Sequence, residues 1–149
     1  MSQPLACTQL CHTQRRLLDH FYRQQGSRMR ASGEGQLWVA RAPEIVAGLS
    51  LSCIEGGWWL TGLFVAPQRR GTGIARALIE AALCQPYGTA WLFCHPTLRP
   101  FYANVGFGPA EHLPEALASR LQRYQRSKAL VALQRRQYGD AVSVVEAGQ

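Results

Sequence analysis

Apolar positions change their period several times along the chain, and each change marks an element. In TQRRLLDHFYRQQ (residues 13–25), Leu17, Leu18 and Phe21 recur at helical spacing with Arg and Gln opposite. That predicts an amphipathic helix, which Gly26 ends. GSRMRASGEG then reads as loop. QLWVAR (36–41) alternates like a strand, IVAGLSLSCI (45–54) is a second strand, and WWLTGLFVA (58–66) is a third. The turns between them, APE and EGG, are short, so the three form an antiparallel meander.

After a glycine-bearing turn, Ile74, Leu78, Ala81 and Ala82 define one face of a helix of about ten residues, a length typical of globular helices. TAWLFC (89–94) is apolar throughout, as a buried strand should be. PEALASRLQRY starts with Pro114 at a first helical position and continues through Leu117, Leu121 and Tyr124. KALVALQ (128–134) reads as a last strand; residues 137–149 lack a pattern and are expected to be a fraying tail. The order predicts an α/β (α+β) fold: a mixed, mostly antiparallel central sheet flanked by helices on both faces. A meander ahead of the glycine turn argues against a doubly wound fold, where strands and helices alternate from the start.

A chain of 149 residues without repeats or linkers reads as one domain over residues 1–136. No apolar run has membrane-spanning length and no signal peptide is apparent, so a cytoplasmic protein is expected. Five scattered cysteines suit reduced, mostly buried thiols, and Cys7, Cys11 and His12 lack the second ligand pair of a metal site. Trp38 and Trp91 read as core, whereas the adjacent Trp58 and Trp59 point to opposite faces of their strand. The net charge of +7 rests on 16 basic residues, all Arg except Lys128. It favours an anionic partner, either a nucleic acid or a polyphosphate.

VAPQRRGTGIARALIEAAL (65–83) is a strand, a glycine turn and a helix, the layout that holds a phosphate at a helix N-terminus. No Lys lies in the turn or helix, which excludes the nucleoside-triphosphate loop G-x-x-x-x-G-K-[ST]. A dinucleotide fingerprint counted from Gly71 puts Arg76 at its third small position, and no acidic residue follows near position 91. What remains is R-x-x-G-x-A at Arg70, Gly73 and Ala75. Gly71 and Gly73 let the backbone curl toward an anion. The N–H groups from Gly71 through Thr72, Gly73 and Ile74 to Ala75 can converge on a pyrophosphate, with Arg69, Arg70 and Arg76 adding charge-assisted contacts.

That segment resembles the acetyl-CoA-binding motif of the GCN5-related N-acetyltransferase (GNAT) superfamily, apolar-apolar-Val-x-Pro followed by [QR]-x-x-G-x-[GA]. A second block, HPTLRPFYANVGF (95–107), resembles the family's N-x-x-A-x-x-F-Y-x-x-x-G-F at Phe101, Tyr102, Gly106 and Phe107. The resemblance implies acetyl-CoA as co-substrate and an amine acceptor. By it, the backbone of Leu63, Phe64 and Val65 would hold the pantetheine arm after a bulge near Gly62, and Phe101 would contact the cofactor. Tyr102 would be the general acid that protonates the departing thiolate. His95 stands where the family often has Asn and is expected beside the cofactor. The strand before the turn lacks the family's frequent Glu; Glu55, one turn earlier, is the nearest carboxylate in sequence and more simply an exposed turn residue.

The resemblance implies an acetyl-CoA-dependent N-acetyltransferase acting by direct attack in a ternary complex, on a small-molecule or protein amine; a monomer or homodimer is expected. Two other readings stay open. The missing carboxylate suits a catalytically weak acyl-CoA-binding regulatory module. The Arg excess, with RLQRYQRSK, suits a nucleic-acid-binding domain, though no recognised nucleic-acid motif accompanies it.

Overall fold

A computed structural model describes residues 4–84 and 88–136. The predicted tail, 137–149, lies outside the described residues. Seven strands hydrogen-bond in the order β1-β2-β3-β4-β5-β7-β6, with β4 and β5 parallel. The chain divides into two compact units, residues 4–52 with 60–84 and residues 53–59 with 88–136, so β4 contributes to both.

The first unit holds β1 (Ala6–Leu10), α1 (Arg15–Gln24), β2 (Gln36–Arg41), most of β3 (Ile45–Ile54), the larger part of β4 (Gly57–Val65), and α2 (Ile74–Ala82). Helix α1 buries Leu18, Phe21 and Tyr22 against Leu37 and Val39, with Phe64 packed at the margin. Gly48 makes this approach possible: a Cβ there would sit 2.3 Å from Leu18 Cδ1. Leu17 was expected on the buried face but is exposed, because the notch at Gly48 receives Leu18 and the 18–21–22 stripe follows from it. Strand β1 was not foreseen. It pairs antiparallel with β2 from Ala6↔Arg41 to Leu10↔Leu37, yet only Leu10 is buried.

The second unit holds β5 (Thr89–Cys94), α3 (Arg99–Ala103), β6 (Gly108–Pro109), α4 (Glu115–Gln125), β7 (Val131–Arg136) and the start of β4. Trp58↔Ala90 and Trp59↔Trp91 are parallel pairs, and β5 runs antiparallel to β7. Trp59, Trp91 and Leu117 form the core, with the Trp59 and Phe93 rings 4.6 Å apart edge to face.

Further expectations need correction. Trp38 is half-buried, its indole N–H donating to Gln36 Oε1, and Tyr124 is exposed. Pro114 caps α4 and is not its first residue, and the last strand begins at Val131. Only Cys94 is a buried thiol; Cys11, Cys53 and Cys84 are exposed. Among the described residues no helix is long and apolar enough to cross a membrane, and no cluster of three His, Cys, Asp or Glu side chains could hold a metal.

Candidate functional site

The Gly turn is built by backbone geometry. Gly71 and Gly73 adopt φ of +80° and +84°, and a Cβ at either would meet nothing within 4 Å. These glycines therefore serve conformation and leave open space above the turn. Gly73 is the N-cap of α2, with no side-chain cap and no acidic residue in the first turn. The first N–H groups of α2, at Ile74, Ala75 and Arg76, precede the first intrahelical bond, from Ala77 N–H to Gly73 O. Thr72 turns its hydroxyl back to donate to Arg69 O at 2.6 Å, away from that cap position. The result is a helix start whose first N–H groups have no side-chain cap, a geometry that can take an anion.

Two arginines of the turn are held in place. Arg70 Nε donates to Val65 O at 3.0 Å while its guanidinium lies 5.0 Å from the Phe64 ring centroid. Arg69 Nη2 reaches Ala42 O at 3.5 Å. Arg76 is exposed. Leu63 and Phe64 are half-buried and Val65 is buried, its carbonyl already accepting from Arg70.

Upstream, Gly62 takes φ +68° inside β4, where the sequence placed an irregularity. Sequence reasoning missed its partner. Tyr22, fully buried on α1, donates its hydroxyl to Gly62 O at 2.6 Å. A Cβ on Gly62 would come within 2.9 Å of that hydroxyl and 4.0 Å of the Arg30 carbonyl. Burial, then the nearby Asp19 carboxylate, pushes the Tyr22 phenol well above its ordinary range, so it keeps its proton.

In the second unit, α3 begins with Pro100 in its first turn and buries Tyr102. The Tyr102 ring lies 4.9 Å from Phe101 and 5.8 Å from Phe107, and its carbonyl accepts from the N–H groups of Val105 and Phe107. Burial, and secondly the Cys94 thiol, pushes its hydroxyl up to about 12. Burial also raises Cys94, against the pull of Arg99, so this thiol stays protonated. His95 caps the turn before α3: its Nδ1 accepts from Thr97 N–H at 3.2 Å. That bond leaves the proton of the neutral ring on Nε2, at an exposed position. Glu55 sits exposed in the β3–β4 turn with φ +37°, beside a cleft of about 340 Å³ that Trp58 also lines.

In the mixed sheet, the helix start that follows the glycine turn lies in the connection between the two parallel strands β4 and β5. The chain belongs to the GNAT family: residues 33–109, more than half of it, match the family described as "Acetyltransferase (GNAT) domain". Similar solved structures include a GNAT-family acetyltransferase from Staphylococcus aureus (15% identity, 89% of this chain and 99% of that one, TM-score 0.64). Another is the ribosomal-protein-S18-alanine N-acetyltransferase of Escherichia coli (13% identity, 90% and 94% covered, TM-score 0.66). A third is the N-acetylglutamate synthase of Neisseria gonorrhoeae, complexed with coenzyme A and N-acetyl-glutamate (15% identity, TM-score 0.64). The match covers 93% of this chain and 36% of that enzyme, so this chain spans about a third of its length. No curated protein sequence matches.

Proposed function

We infer that the protein transfers an acetyl group from acetyl-CoA to a primary amine by direct attack within a ternary complex, residues 1–136 acting as one catalytic domain. The observation that carries this reading is the start of α2 without a side-chain cap, where a Cβ on Gly71 or Gly73 would meet nothing within 4 Å among the described residues. The first N–H groups of α2 bind the pyrophosphate, and Arg69, Arg70 and Arg76 offset its charge. The backbone of Leu63, Phe64 and Val65 receives the pantetheine arm; the family resemblance assigns Phe101 and His95 to cofactor contact as well. Tyr102, held protonated by burial, donates to the thiolate as it departs. The coenzyme A complex of the N. gonorrhoeae enzyme supports this choice of cofactor.

Residues 58–65 contain no carboxylate and Glu55 sits exposed in the turn before them, so in this reading the amine loses its proton to water or arrives neutral. The same absence favours one other reading, a catalytically weak acyl-CoA-responsive module. Calorimetric titration with acetyl-CoA tests the cofactor assignment: micromolar binding is expected, and none below millimolar refutes it. Free-thiol release across a panel of amines then separates enzyme from module.

A further inference from the structure

The segment between α1 and β2 has no secondary structure, yet it is fastened along most of its length. Ser27 N–H donates to Tyr22 O at 2.9 Å. Ala31 N–H donates to Asp19 Oδ1 at 2.7 Å, and Ala31 O accepts from Arg15 Nη2 at 3.0 Å. Asp19 and Arg15 also face each other at 4.0 Å, so α1 grips this residue from both sides. Ser32 N–H donates to Ser50 Oγ at 3.1 Å, and Gly35 O bonds the ring of His12. Between the fastenings at Ser27 and Ala31 stand Arg28, Met29 and Arg30, all exposed. Met29, a large apolar side chain, is 40% exposed.

Neither Arg28 nor Arg30 forms an ion pair among the described residues, and Asp19, beside them, is engaged by Ala31 and Arg15. Their position is specific. The Arg30 carbonyl lies 4.0 Å from where a Cβ on Gly62 would be, so this loop lies against the irregularity in β4 that Tyr22 fixes. An irregular loop this well anchored, with its cations left free, is a preformed recognition edge. Guanidinium groups match oxyanions in planar two-point contacts and repel a second ammonium.

We propose that Arg28 and Arg30 select an acceptor carrying an oxyanion near its reactive amine, as in an amino acid or a peptide with an acidic residue next to its N-terminus, while Met29 supplies apolar contact. This rests on the acetyltransferase reading above, to which it adds the acceptor's class. Polyamines and other polycationic amines are then poor substrates.

The test compares acetyl-CoA-dependent acetylation of Ala-Glu, Ala-Gln and Ala-Lys amides, which share one reactive amine. An aminoalkyl phosphate and its parent amino alcohol distinguish phosphate from carboxylate as the favoured oxyanion. The wild-type protein is expected to prefer Ala-Glu over Ala-Gln by about threefold to fivefold in kcat/KM, with Ala-Lys lowest, the upper part of what a charge pair gives at an exposed site. In Arg28→Gln/Arg30→Gln that ratio falls toward one. Arg16→Gln/Arg23→Gln, an equal loss of charge at exposed positions of α1, keeps it.

A wild-type ratio near one for both pairs, or its loss in the α1 control, overturns the proposal. If acetyl-CoA binds but no peptide turns over, the peptides are titrated into the coenzyme A-saturated protein, where absent or unselective binding of Ala-Glu likewise overturns it. Failure of acetyl-CoA itself to bind refutes the underlying function, which keeps the two failures apart.

Discussion

Tyr22→Phe isolates one hydroxyl. It removes the 2.6 Å bond to Gly62 O and leaves the ring packed beside Phe21, whose centroid is 5.9 Å away. Leaving that carbonyl without its donor costs about 1–3 kcal/mol at neutral pH. The same hydroxyl also sets a pH dependence. Its folded-state pKa lies above the ordinary tyrosine value of 10.0, chiefly through burial. Stability from the buried, protonated phenol is therefore complete below pH 10. It declines as pH rises above 10, because the unfolded chain ionises there and the folded one does not. The loss is about 1.4 kcal/mol per pH unit for this one group. Wild type should thus exceed Tyr22→Phe by about 1–3 kcal/mol at pH 8, and by about 1.4 kcal/mol less at pH 11. Urea unfolding followed by tryptophan fluorescence at both pH values reads this directly. A gap that stays constant between pH 8 and pH 11 refutes the argument, as does no gap at pH 8.

Gly48→Ala places a methyl 2.3 Å from Leu18 Cδ1, so α1 must shift or Leu18 must leave its rotamer. A loss of about 1–3 kcal/mol in the same unfolding assay is expected. Glu55→Gly relieves a left-handed residue at an exposed turn and should raise stability by about 0.5 kcal/mol after glycine's entropy is counted. Its turnover should stay within about twofold, whereas a loss of about a hundredfold would make Glu55 a general base. Tyr102→Phe should lower kcat by about a hundredfold or more with little change in acetyl-CoA affinity, measured by thiol release and calorimetry. Unchanged turnover across pH 6–10 would remove the proton-donor role.

Strands β2, β3 and β5 were legible to the residue because their alternation or continuous apolar character is local. Strand β1 was not: ACTQL offers one buried side chain, and its place is fixed by pairing with β2, some 30 positions along. The two-residue β6 carries too little pattern to signal anything. In α1, Leu17 and Leu18 compete equally for the inward face, and only the notch at Gly48 decides between them. The glycine turn could be read because its left-handed backbone demands particular residues. Tyr22 on Gly62 and the fastening of Ala31 could not, since each joins positions far apart that have no pattern of their own.

The arginines near these features differ in how they are held, and the difference has a physical consequence. Arg70 is fixed by the Val65 carbonyl and the Phe64 ring, and Arg69 more weakly by Ala42 O. Side chains already ordered lose less entropy when a ligand arrives, which suits one ligand of constant shape. Arg28 and Arg30 sit on a loop anchored at Ser27 and Ala31, and among the described residues their own heads form no ion pair. Free heads of this kind can follow oxyanions at different distances from the reacting amine, at an entropic cost that keeps each contact weak. Cations held at the turn and unpaired ones on the loop would thus match the proposed pairing of one invariant co-substrate with acceptors that share a charge.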